Sequence, residues 1–159
     1  MMWRSGPARA MSKDWTPDDW SIDGETHPRR ETASEAVTND IRVEVESQYA
    51  PGRSRPFQCQ WFFTYTVRIS NEGDDTVQLI SRHWFITHGD GRVEEIRGPG
   101  VVGEQPTLAP GESFEYTSGC PLRTPTGTMR GTYQMMSEHG AHFDVEIAPF
   151  KLSEPYTVH

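Results

Sequence analysis

Cysteine is scarce. The chain has two in 159 residues, Cys59 and Cys120, and no C-x-x-C joins them. A multi-bridge disulfide framework and a thioredoxin-like redox pair are therefore not indicated, and a single structural disulfide is the lesser reading. Positive charge is also short, with 15 Lys and Arg against 23 Asp and Glu, for a net charge of −8. That balance argues against nucleic acid as a partner, because holding phosphates needs a positive field. No apolar run approaches the roughly 20 residues that cross a bilayer, so no membrane partner is expected. The first residues carry arginines but no apolar h-region, which argues against a secretory signal and for the cytoplasm. The chain lacks a G-x-S-x-G elbow, and no segment repeats with a helical period.

Because Trp84 lies between the two cysteines, an antibody-type core needs testing. That pattern places a tyrosine two residues before the second cysteine. Ser118 stands there instead, and Pro121 follows Cys120. Both cysteines are read as free thiols, one or both partly buried.

What is present begins with a composition break. Residues 1–40 hold Pro7, Pro17 and Pro28, eight acidic and five basic residues, and no sustained apolar pattern. Such a segment buries too little apolar surface to offset its ordering entropy, so it is expected to be a loosely ordered leader. Within it, Asp14–Trp20 is either a short acidic-aromatic motif or plain leader. Residues 41–159 are expected to form one domain.

From Ile41 the period becomes two. I-R-V-E-V-E-S puts Ile41, Val43 and Val45 on one face. After the proline-containing turn A-P-G-R-S-R-P-F, the segment W-F-F-T-Y-T-V-R-I-S aligns Phe63, Tyr65, Val67 and Ile69 and is the best central strand. V-Q-L-I-S-R-H-W-F-I-T-H slips near Leu79–Ile80, predicting a bulge that turns Ile80, Trp84 and Ile86 inward. G-D-G is a hairpin turn. Further strands carry Phe114 and Tyr116, then Met129, Tyr133 and Met135, then Phe143, Val145 and Ile147. About seven strands of this kind predict an all-β antiparallel sandwich, immunoglobulin-like or fibronectin type III-like. Phe63, Tyr65, Val67, Trp84, Tyr116 and Tyr133 are its predicted core.

The segment G-P-G-V-V-G-E-Q-P at 98–106 contains G-x-G-x-x-G. A dinucleotide fingerprint needs a helix to open after the glycines. Pro106 and the β-branched Val101 and Val102 oppose one, and Glu104 would repel a phosphate. Gly98, Gly100 and Gly103 are therefore expected to relieve steric limits in a loop crossing between sheets, with a weak anion nest as the lesser alternative. Val101 and Val102, with Glu104, are expected to form an exposed contact loop for a protein partner.

Other chemistry is thin. His83 and His88 are five apart and fall on opposite faces of a regular strand. His139 and His142 flank a hairpin turn beside Glu138 and Asp144, and they are the residues that come nearest to a loose metal site. Arg82 and His83 beside Trp84 are expected to anchor a neighbouring loop. No cofactor and no catalytic residue is assigned.

Several segments together resemble the bacterial ApaG family. They are I-S-R-H-W at 80–84, D-G-R at 90–92, G-P-G-V-V-G-E-Q-P at 98–106 and L-A-P-G-E at 108–112. Y-T-S-G at 116–119, G-T-M-R-G-T-Y at 127–133 and F-K-L at 150–152 complete the set. The likeness spans roughly residues 41–159 in the family's order. It implies a fibronectin type III-like or immunoglobulin-like sandwich and a link to cobalt and magnesium resistance or efflux. It also implies a protein-interaction role like that of similar domains in eukaryotic F-box proteins. The leader is an addition to the family pattern. His88 stands where an aspartate is common, which leaves a metal role at that position unsupported. The expected activity is a non-enzymatic binding module with an unidentified protein partner and self-pairing through an edge strand as a further mode. Its alternative is a direct sensor of a divalent metal, or of a nucleotide or pyrophosphate at the glycine loop.

Overall fold

The computed structural model describes residues 31–155, and the expectations for residues 1–30 lie outside them. Nine strands run in chain order: β1 Ala33–Thr38, β2 Ile41–Tyr49, β3 Trp61–Asn71, β4 Val77–His88 and β5 Val93–Pro99, then β6 Thr107–Leu108, β7 Ser113–Leu122, β8 Thr126–Ser137 and β9 His142–Ser153. Among the described residues there is no α-helix, only short 3-10 turns at Pro51–Arg53 and Pro56–Gln58.

The strands form two antiparallel sheets, ordered β1-β2-β3-β7 and β5-β4-β8-β9, with β6 also paired to β4. The result is the immunoglobulin-like sandwich that period-two alternation demands, since each strand has one apolar face to bury. Phe63, Tyr65 and Val67 from β3 and Tyr116 from β7 meet Trp84 from β4 and Tyr133 from β8, all buried. The Trp84 ring stands edge-on to Tyr65 at 5.3 Å and to Phe150 at 6.0 Å.

Two expectations about strands need correction. The leader does not extend to residue 40, because Ala33–Thr38 form β1. Their weak β-propensity is overridden by pairing with β2 and by bonds to β9, where Ser34 Oγ donates to the Ala148 carbonyl at 2.8 Å. At the predicted slip, Ile80 is itself the extra residue and lies half-buried. Leu79 is buried before it, and Trp84, Ile86 and His88 after it. A second shift in β9 moves its inward set from Val145 and Ile147 to Phe150 and Leu152.

The two sides of the sandwich differ. On one side β9 is sewn to β1 and β2. Ser47 Oγ donates to the Lys151 carbonyl at 2.7 Å, and the Lys151 amide donates to the Glu31 carbonyl at 2.8 Å. The opposite side ends at β7 in one sheet and at β5 in the other.

Candidate functional site

The glycine loop does not cross between sheets. Its flanks, β5 and β6, both pair with β4, at residues 81–87 and 77–78 respectively. The loop therefore leaves and rejoins one strand edge, opposite the bulge at Ile80. It closes that bulge: the Ile80 carbonyl accepts from the Gly100 amide and from Gln105 Nε2, each at 2.8 Å. Arg82 Nη1 donates to the Pro99 and Gly100 carbonyls, both at 2.9 Å, so Arg82 is the loop's anchor.

This geometry overturns the contact-loop expectation. Val101 is 1% exposed and belongs to the core, and Val102 packs partly against it with φ +42°. Val101 and Glu104 exchange backbone bonds at 2.8 Å, which folds the valine back beneath the loop. Nor does the segment open a helix. The strand β6 follows, so the N-terminal dipole that a dinucleotide requires does not stand behind Gly98, Gly100 and Gly103.

Apolar side chains are exposed on both sides, Val37 on the sewn side and Val93 and Ile96 on the open side, where a strand edge stands beside them. Cross-strand partners share a face, and Trp84 pairs with Ile96. Ile96 therefore points to the inner side of its sheet, yet it is 37% exposed, because β5 overhangs the opposing sheet. Val93 and Phe57 are also exposed, Phe57 completely. The outward face of β5 carries an ionic group: Glu95 Oε2 accepts from His83 Nε2 at 2.6 Å and from Arg97 Nη2 at 3.1 Å. These contacts hold the Glu95 carboxyl below the usual carboxylate range, His83 contributing most.

At the end of this side is a cleft of about 760 Å3, walled by the 51–62 segment, the β4–β5 turn and the β7–β8 turn. His88 reaches it from the inner face of β4. The ring is 5% exposed, with Nε2 3.2 Å from Glu94 Oε1 and Nδ1 accepting a long bond from the Arg123 amide at 3.5 Å. Arg53, Arg92 and Arg123 line the same cleft, as do Trp61, Phe62 and Cys59. Alternation within strands could not reveal this grouping, because it joins turns distant in sequence. The proline-containing turn at 50–57 and the G-D-G turn at 89–91 had each marked a wall, but not that they meet.

The expected histidine pair is not assembled. His139 lies 3.5 Å from both Asp75 Oδ1 and Glu138 Oε2, and these three exposed groups come close enough to share an ion. His142 is outside that group, at the start of β9. Asp75 replaces it because the turn before β4 packs beside the β8–β9 turn, where the Glu138 amide donates to the Thr76 carbonyl.

Two buried hydroxyls in the core bond one another. The Tyr116 and Tyr133 hydroxyls are hydrogen-bonded across the sheets, and burial pushes both phenols well above their ordinary range. Burial likewise pushes the Cys120 thiol up to about 12, while Cys59 is an exposed free thiol. Such groups are held neutral and spent on packing.

Comparison with known proteins agrees with this architecture. The family model described as the ApaG domain matches residues 51–137. Protein ApaG of Bordetella pertussis is 59% identical over 120 residues, covering 76% of this chain and 92% of that protein. Protein ApaG of Methylocella silvestris is 53% identical over 121 residues, covering 76% of this chain and 93% of that protein. A crystal structure of an ApaA protein from Bordetella pertussis superposes with a TM-score of 0.72 at 58% identity, covering 77% of this chain and 100% of that one.

Proposed function

The chain belongs to the ApaG domain family, and from that premise we propose that it is a non-catalytic binding module. It takes a protein partner along the open side of its sandwich. The observation that supports this reading is the overhanging β5, exposed along nearly its whole length with Ile96 uncovered beside Trp84. An unpaired strand edge offers backbone donors and acceptors that a partner strand satisfies by addition, and Val93 and Ile96 supply the side-chain contacts. On this reading, the family's link to cobalt and magnesium resistance is indirect: the module recruits a cytoplasmic partner and does not itself carry the cation.

Affinity capture from the native cells tests the reading. Ile96→Asp is expected to lose the partner, while Val37→Asp, at an exposed position on the sewn side, is expected to keep it. Retention by both variants removes β5 from the account. A partner that proves to be a second copy of this chain shows as a doubled mass in light scattering.

A second reading, direct sensing of a divalent cation, rests on the Asp75, Glu138 and His139 group. Three exposed ligands without buried support make a weak site. Calorimetry with cobalt and magnesium separates the readings, since direct sensing requires saturable heat that Glu138→Gln abolishes.

A further inference from the structure

We propose that the cleft beside His88 binds a small organic oxyanion, a phosphate monoester or carboxylate carried on a planar apolar body. Its volume, about 760 Å3, is that of an ordinary small-molecule site. Its charge is opposite to that of the whole chain. Three arginines, Arg53, Arg92 and Arg123, line it against one carboxylate, Glu94, in a protein of net charge −8. They arrive from three separate turns, and gathering like charges in one concavity raises the local attraction for an anion. The guanidinium fork suits phosphate and carboxylate oxygens, which it binds through paired N–H donors.

The cleft's own acid does not cancel this field evenly, because Glu94 is directed at His88 Nε2, 3.2 Å away. Among the described residues no hydrogen bond holds the guanidinium of Arg92 or Arg123, although Arg92 lies within the field of Asp90. Arg53 is placed by stacking, its guanidinium carbon 3.9 Å from the centre of the Phe62 ring. A stacked guanidinium keeps its edge donors available in the plane of the ring. Phe62, Trp61 and Pro121 give the cleft an apolar wall for the body of the ligand. The site meets the β5 surface at Val93 but does not include Ile96.

Titration calorimetry of the full chain at low salt tests this with phenyl phosphate, benzoate and inorganic phosphate. At least one aromatic anion is expected to bind saturably and at least about tenfold more tightly than inorganic phosphate, a difference of about 1.4 kcal/mol. Whichever aromatic anion binds more tightly identifies the headgroup. The double variant Arg92→Gln, Arg123→Gln is expected to weaken that binding at least about tenfold with an unchanged melting temperature. The bound anion should also slow alkylation of Cys59 in the cleft wall. Ile96→Asp should leave anion binding intact, so the site and the strand-docking surface fail separately. The proposal is overturned if neither aromatic anion binds saturably at millimolar concentration. Binding that survives in the double variant overturns it equally.

Discussion

The guanidinium of Arg82 occupies the space that a side chain at Gly98 would need, its Nη2 only 2.8 Å from where a Cβ would sit. Arg82 leaves β4 two residues after the bulge, crosses Gly98 and clamps the Pro99 and Gly100 carbonyls. The glycines of this loop therefore serve the backbone. They let a loop fold over a bulge whose exposed carbonyl would otherwise lack a partner.

The three glycines of the loop are not equal, and alanine substitutions should rank them. Gly100 has φ +60° and its Cβ would fall 2.2 Å from the Glu104 carbonyl oxygen. Gly103 has φ +81° and meets nothing within 4 Å. Gly103→Ala is expected to cost only the left-handed backbone penalty, about 1–2 kcal/mol. Gly100→Ala should cost more because a backbone clash is added. Urea denaturation measures both, and equal losses would contradict the docked loop.

The bonded hydroxyls of Tyr116 and Tyr133 make a separable pair. Removing one leaves the other buried without its partner, so Tyr133→Phe is expected to destabilise by about 1–3 kcal/mol. Removing both should cost less than the sum of the single changes. A double-mutant cycle by denaturation reads the coupling, and strict additivity would count against the bond.

The two thiols should differ sharply. Cys59 is exposed, whereas Cys120 is buried with its thiol pushed up to about 12. One equivalent of a thiol reagent is expected to react in the native protein at pH 8, at Cys59, and the second only after denaturation. Rapid native reaction of both would contradict the packing of β7.

Glu44 gives the fold a pH dependence. Burial, then the facing Glu35, pushes its carboxyl from 4.5 up to about 7. Between those values the folded chain binds more protons than the unfolded one, so stability falls as pH rises from about 4.5 to about 7. Glu44→Gln removes that slope. The variant should gain on the parent as pH increases, in melting temperatures taken from pH 5 to pH 8. A constant difference across the range would show that Glu44 does not titrate there.

The sandwich was legible because alternation records which face each residue turns to the core, and the slip at Leu79–Ile80 betrayed a bulge. β1 was not, because Ala33, Ser34 and Glu35 are poor strand formers that tertiary pairing recruits. Val101 looked exposed because glycines around a valine pair mark a loop. The burial of Val101 and its bonds with Glu104 show that the loop folds inward. The arginines of the cleft come from different turns, and no local pattern announces a meeting set by topology.

The most direct measurement is hydrogen–deuterium exchange of the full chain, alone and saturated with its captured partner. Slowed exchange concentrated in Val93–Pro99, with β1 and β9 unchanged, is the expected result. Protection confined to the 100–106 loop or to the sewn side, with Val93–Pro99 unaffected, would contradict the account.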